Sequence, residues 1–162
     1  MKKTIMKKTI KMITLLLFFT IILSTNVNAK TKDFNITHGN NRWNIQLTIE
    51  EVEMLARIVQ LECGHDIRDG KYAVIETIFN RMKDERYPNT LEEVLSQKGQ
   101  FGTWRNRDIE EANPNLDTYE SIFMVLNGQT HILSFDRLKF NNEPIGYKPI
   151  KIGGQYFGRQ KN

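Results

Sequence analysis

A single cysteine, Cys63, in 162 residues excludes an intramolecular disulfide, so stability has to come from packing. Histidine is almost as scarce: His38, His65 and His131 show no metal-ligand spacing, which argues against a zinc-dependent amidase and leaves no metal or cofactor to assign. A cysteine peptidase built on Cys63 has no supporting motif, and a lone cysteine reads as a small buried hydrophobe. The excess of positive charge is also illusory. Of 23 basic residues, Lys2, Lys3, Lys7, Lys8 and Lys11 sit in the first 29 positions, leaving 18 against 19 acidic ones, a net charge of −1. The remainder therefore has no electrostatic footprint for nucleic acid. No internal repeat and no low-complexity tract is present.

The one long apolar run, Met12 to Leu23, is too short to span a bilayer comfortably. Lysines precede it and Val27-Asn28-Ala29 follows it, the order of a secretory signal peptide cut near Ala29. No cysteine lies near that point to carry a lipid. We expect residues 1–29 to be a signal peptide and 30–47 a polar, flexible arm. Residues 48–162 are then one domain with a single core, expected to be secreted, monomeric and without stable membrane association after cleavage.

Order is expected to begin at Thr48. Thr48 and Glu51 form a capping box, and the helix they open should run to about Cys63, with Gly64 as its stop. A second helix is predicted from about Asp69 to Lys83, with Ala73, Val74, Ile78 and Met82 facing the core. Thr90 and Glu93 repeat the capping pattern before a short helix through Leu95. Gly99 to Asn115 reads as a long loop. Asp117 is placed as the cap of a fourth helix with Ile122, Phe123, Val125 and Leu126 on its apolar face, ending at Gly128. His131 to Phe140 and Tyr147 to Phe157 have strand composition, and Gly153-Gly154 is a hairpin turn. The expected class is α+β, mainly α, with a small C-terminal antiparallel sheet.

One carboxylate breaks the pattern of the first helix. At 100° per residue from Val52, Glu62 falls at roughly 280°, between Leu55 and Ile58 on the apolar arc rather than with Glu53, Arg57 and Gln60. Burial and the negative end of the helix dipole both disfavour its charged form, the condition a general acid needs. The structural alternative is that Glu62 pairs with a buried Arg such as Arg81. Glu76 is read as a helix-surface charge.

The same residues carry a resemblance. Ala56-Arg57-Ile58-Val59, Glu62, Gly70-Lys71-Tyr72-Ala73-Val74, Asn80-Arg81, Pro88-Asn89-Thr90, Gln100-Phe101, Leu126-Asn127-Gly128, Phe140-Asn141-Asn142 and Ile152-Gly153-Gly154-Gln155-Tyr156-Phe157 follow in order. Together they resemble the spore cortex-lytic, SleB-type cell-wall hydrolase family over nearly all of residues 48–158. The resemblance implies a lysozyme-like domain acting on the glycan strands of peptidoglycan, Glu62 as the catalytic residue, and lytic transglycosylation as the reaction. The chain departs from the family pattern at Cys63-Gly64-His65-Asp66, where Ala-Arg-Gly-Glu is usual, at Gln155, where a His is expected, and in a shortened segment between Gly128 and Phe140.

Gln100, Phe101, Trp104, Phe140, Asn142 and Tyr156 are the candidate substrate-binding residues, since amides and aromatic faces hold sugars, and core packing is the competing role for each aromatic. A muramidase would need a partner carboxylate about 5–9 Å from Glu62; Asp66 and Glu76 are the nearest candidates in sequence, Asp66 also placed in the cleft with capping of the next helix as its alternative role, and Glu76 favoured as a surface charge. Asn80-Arg81 could line the cleft, but a structural role is favoured, such as an ion pair holding two helices. A noncatalytic secreted wall binder shares every feature except a working Glu62.

Overall fold

The structure, a computed structural model, describes residues 41–101 and 108–161. The segment read as a signal peptide, His38 and Trp104 lie outside them. Among the described residues run α1 (Ile49–Cys63), α2 (Arg68–Lys83), α3 (Leu91–Ser96), α4 (Asp108–Glu111) and α5 (Leu116–Leu126), then β1 (Arg137–Asn141), β2 (Tyr147–Ile152) and β3 (Gln155–Arg159). The class is the expected one, helices first and a small antiparallel sheet after them, in the order β1-β3-β2.

α1 begins as its sequence dictates: Glu51 N–H donates to Thr48 Oγ1 at 3.1 Å and Thr48 N–H to Glu51 Oε2 at 2.8 Å, satisfying two free helix-end donors. Val52, Leu55, Ala56, Ile58, Val59 and Cys63 are its buried side. The helix stops at Gly64, but with φ −59° rather than in the left-handed region. What demands glycine there is space, because a Cβ would lie 2.4 Å from the Gln60 main-chain carbonyl oxygen.

α2 is the central element, packed against α1, α3, α5 and β1 and buried continuously from Gly70 to Arg81. Several of those buried residues are polar, and each ties the helix to something else. Glu76, fully buried, accepts from Arg42 Nη2 at 3.0 Å, Thr130 Oγ1 at 2.8 Å, and the N–H groups of Ile132 and Leu133 at 3.1 and 2.8 Å. The surface position expected for it is wrong. One turn on, Asn80 accepts from Trp43 Nε1 at 2.7 Å and donates to the carbonyls of Ser134 and Arg137. The i,i+4 spacing puts both side chains on one face. Lys71, also buried, donates to Asp117 Oδ2.

That polar face corrects the boundary of the arm. Within 30–47, residues 41–47 are packed: Trp43, Ile45 and Leu47 are buried, and Arg42 lies 4.2 Å over the Trp43 ring and 4.7 Å over that of Phe135. The three apolar residues alternate with exposed ones although the chain turns between them, Asn44 having φ +49° and its N–H donating to the Asn41 carbonyl at 3.0 Å; the asparagines hid them. Two smaller corrections concern α5. Asn115, not Asp117, is its cap, accepting from Thr118 N–H at 2.9 Å, while Asp117 pairs with Arg68 and Lys71. These two cations hold the Asp117 carboxyl below its usual range, the Lys71 hydrogen bond foremost. Phe123 is 38% exposed, so the inward stripe is Ile122, Val125 and Leu126. Finally, 131–136 is not strand; that stretch is bonded to Glu76 and Asn80 through its backbone and is unavailable for a ladder.

In the sheet, β3 is central, with Phe140 opposite Phe157 and Asn141 opposite Tyr156 on one side, and Lys151 opposite Tyr156 on the other. Leu138 and Phe157 face the core. The Gly153-Gly154 turn joins β2 to β3 as expected, with Gly153 at φ +58°.

Replacing Glu76 with alanine should leave two buried N–H groups and the Thr130 hydroxyl without an acceptor. We expect Glu76→Ala to destabilise the domain by about 3 kcal/mol or more, read as a fall in the urea midpoint. A midpoint unchanged within error would show that the network contributes nothing net.

Candidate active site

Glu62 lies in the last turn of α1, where no basic residue offsets the helix dipole, and is half-buried. It opens onto a cleft of about 520 Å³. Arg81 of α2, Tyr87, Gly99 and Gln100 after α3, Lys139, Phe140, Asn141 and Asn142 on and after β1, and Gln155 at the start of β3 are among its walls. Periodicity thus located a carboxylate that the fold does bring into a cleft. Of the other expected binding residues, Gln100, Phe140 and Asn142 share that cleft.

Phe101 does not line it. Its ring is 1% exposed and packs 5.8 Å from that of Phe140, which in turn stacks 6.0 Å from Phe157. Phe101 therefore backs the cleft wall rather than forming it. Tyr156 is half-buried beneath Lys151, whose Nζ lies 5.4 Å over its ring, and it too is outside the cleft lining. Asp66 is committed elsewhere. Oδ1 accepts from Ile67 N–H at 2.8 Å, just ahead of α2, and Oδ2 accepts from Gly154 N–H at 2.9 Å. It fastens the β2–β3 turn to the entrance of α2, lining only a neighbouring groove.

Arg81 lines the cleft, one of the two roles open to it. Its Nε donates to the Leu138 carbonyl at 2.7 Å, joining α2 to β1. Its guanidinium lies 5.4–5.6 Å from the rings of Phe101, Tyr87 and Phe140. Burial pulls its pKa down to about 10, opposed by the charges of Tyr87 and Glu62, so it stays cationic at neutral pH. With Lys139 it gives the cleft two positive groups facing one carboxylate.

The match to a known family decides the assignment. The family model described as Cell Wall Hydrolase matches residues 65–155, more than half of the chain. This chain belongs to the cell wall hydrolase family. Among solved structures, the hydrolase is similar to the catalytic domain of the germination-specific lytic transglycosylase SleB from Bacillus anthracis, with 23% identity, a TM-score of 0.58, and coverage of 68% of this chain and 95% of that one. The catalytic domain of the Bacillus cereus SleB protein gives 23% identity and a TM-score of 0.55 over 66% and 88% of the two chains. No curated protein matches the sequence. The family makes the chain a peptidoglycan-cleaving enzyme. The matched stretch includes Arg81, Gln100 and Asn142 and begins three residues after Glu62.

The hydrolase does not hold Cys63 as a nucleophile. Its Sγ is buried and bonded to the Val59 carbonyl at 3.4 Å, and burial, aided by Asp66, pushes the thiol up to about 12. Thiolate is the reactive form. Native protein at pH 8 should therefore resist iodoacetamide for hours and be alkylated within minutes in denaturant, as counted by intact mass. Rapid alkylation of the folded chain would overturn this placement.

Proposed function

We propose that the enzyme cuts the bond between N-acetylmuramic acid and N-acetylglucosamine by lytic transglycosylation, with Glu62 as its only catalytic carboxylate. The observation that carries this reading is the composition of the cleft: among its described lining residues Glu62 is the sole acid, surrounded by Arg81, Lys139 and the amides of Gln100, Asn141, Asn142 and Gln155. A muramidase acting through two carboxylates needs a second one across the scissile bond. Asp66 is occupied by two backbone donors, and Glu76 is sealed in the core.

A transglycosylase needs one such group. Glu62 gives its proton to the glycosidic oxygen as the bond to the muramoyl C1 breaks. The resulting carboxylate then takes the proton of the muramoyl C6 hydroxyl, whose oxygen closes onto C1 as a 1,6-anhydro ring. The proton returns to Glu62 and no water is consumed. Arg81, held in plane by Leu138 and flanked by rings, favours the carboxylate that exists between the two transfers.

Mass spectrometry of soluble fragments from purified spore cortex and vegetative sacculi tests this. Residues 30–162 should release anhydro-ended muropeptides, and Glu62→Gln should lower release on the order of 10³-fold or more. Reducing ends would replace transglycosylation with hydrolysis. Release that survives in the variant would remove Glu62 from its role, and none from wild type would leave a noncatalytic wall binder.

Export is part of the same proposal, supported by the lysines, apolar run and Val27-Asn28-Ala29 of the first 29 residues. The mature protein recovered outside cells should begin at Lys30 by N-terminal mass analysis. A chain that keeps Met12 to Leu23 would show an anchor instead.

A further inference from the structure

The cleft does not end at Glu62. A smaller groove of about 320 Å³, with Gln60, Leu61, His65, Asp66 and Gly154 in its walls, shares two residues with the first: Glu62 and Gln155. The two grooves meet at these side chains, so a polymer lying in one is led past Glu62 into the other. Cleavage inside a chain needs this arrangement, since the sugars on both sides of the broken bond have to be accommodated.

Gln155 is fixed at the junction by its own chemistry. Its Nε2 donates to the main-chain carbonyl of Glu62 at 3.1 Å. A carbonyl oxygen only accepts, so the bond settles which end of the amide is which. Oε1 is left over, buried and without a donor among the described residues. A buried amide oxygen in that condition is destabilising unless another molecule donates to it. The side chain is also well supported. It opens β3, and the turn before it is bonded through Gly154 N–H to Asp66. Gly153 approaches the same carboxylate so closely that a Cβ would lie 2.2 Å from its oxygens.

We propose that the glycan strand runs through both grooves across Glu62, and that Gln155 binds it at the crossing, Oε1 accepting from the 2-acetamido N–H of a sugar beside the scissile bond. That N–H is a strict donor, whereas the ring hydroxyls both donate and accept, so it suits an oxygen that only accepts. The hydrogen bond from Nε2 to the Glu62 main-chain carbonyl holds the amide at the crossing. This inference rests on the reading of the chain as a glycan-cleaving enzyme.

Two measurements separate the inference from that reading. In kinetics on soluble glycan fragments, Gln155→Leu should raise KM and lower kcat/KM roughly 10- to 100-fold with kcat little changed, the pattern of lost binding. Gln155→His, which keeps one donor and one acceptor, should recover most of the loss. A Gln155→Leu protein with wild-type KM, or one whose loss lies in kcat and Tm with no recovery in Gln155→His, overturns the proposal while leaving Glu62 untouched. The second measurement needs neither cleavage nor a Gln155 variant. In Glu62→Gln protein titrated with a peptide-free N-acetylmuramic acid–N-acetylglucosamine tetrasaccharide, the Gln155 side-chain amide resonances should shift at saturation while those of Gln97, which lines neither groove, stay in place. An unmoved Gln155 amide overturns the proposal whatever the cleavage assay gives.

Discussion

Everything in this domain is arranged around the carboxylate of Glu76. It is buried in the middle of the central helix, a location whose desolvation cost is large unless the charge is paired and its lone pairs are filled. Filling them takes one guanidinium, one hydroxyl and two backbone N–H groups, and those donors come from segments that precede α1 and follow α5. Meeting the demand of one side chain therefore fixes both ends of the domain against α2. Asn80 repeats the device one turn later and Arg81 carries it to β1. The helix acts as a polar spine with apolar flanks, which explains why a segment of modest hydrophobicity is the most buried one.

The active site inherits its rigidity from that spine. Arg81 stands next to Asn80 and reaches the cleft only because Leu138 and the aromatic stack hold it there. Phe140 forms the wall because Phe101 and Phe157 support it from behind. Glu62 arrives from another helix, with its main-chain carbonyl tied to the sheet by Gln155. A positive environment facing a single acid in a half-enclosed groove is thus assembled from α1, α2, β1 and β3, none of which holds the site alone.

How much of this was legible in the sequence follows from the range of the interactions involved. Capping boxes, helix periodicity and the Gly-Gly turn are local, and α1, α2, α3 and the β2–β3 turn emerged close to where those signals put them. Glu62 was found because local periodicity and position at a helix end suffice to mark a carboxylate out of place. Glu76 was misread because its partners lie 34 to 57 residues away and nothing near it in the chain announces burial. Asp66 had the same fault: one oxygen serves its neighbour, but the other is taken by a residue 88 positions on. Trp43, Ile45 and Leu47 did show a pattern, and the asparagines around them concealed it. Phe101 and Tyr156 illustrate a simpler ambiguity, since an aromatic ring suits a sugar and a core equally well.

The distribution of the cleft along the chain has a consequence in time. Glu62 is made early, but the wall opposite it is supplied by residues 139–142 and Gln155, the last of them 93 positions later. Contacts so distant in sequence form only after the intervening chain is present to close the loop. A chain made only through α5 thus carries Glu62 without the wall that stands opposite it. The order of the residues delays assembly of the cleft until β3 is in place.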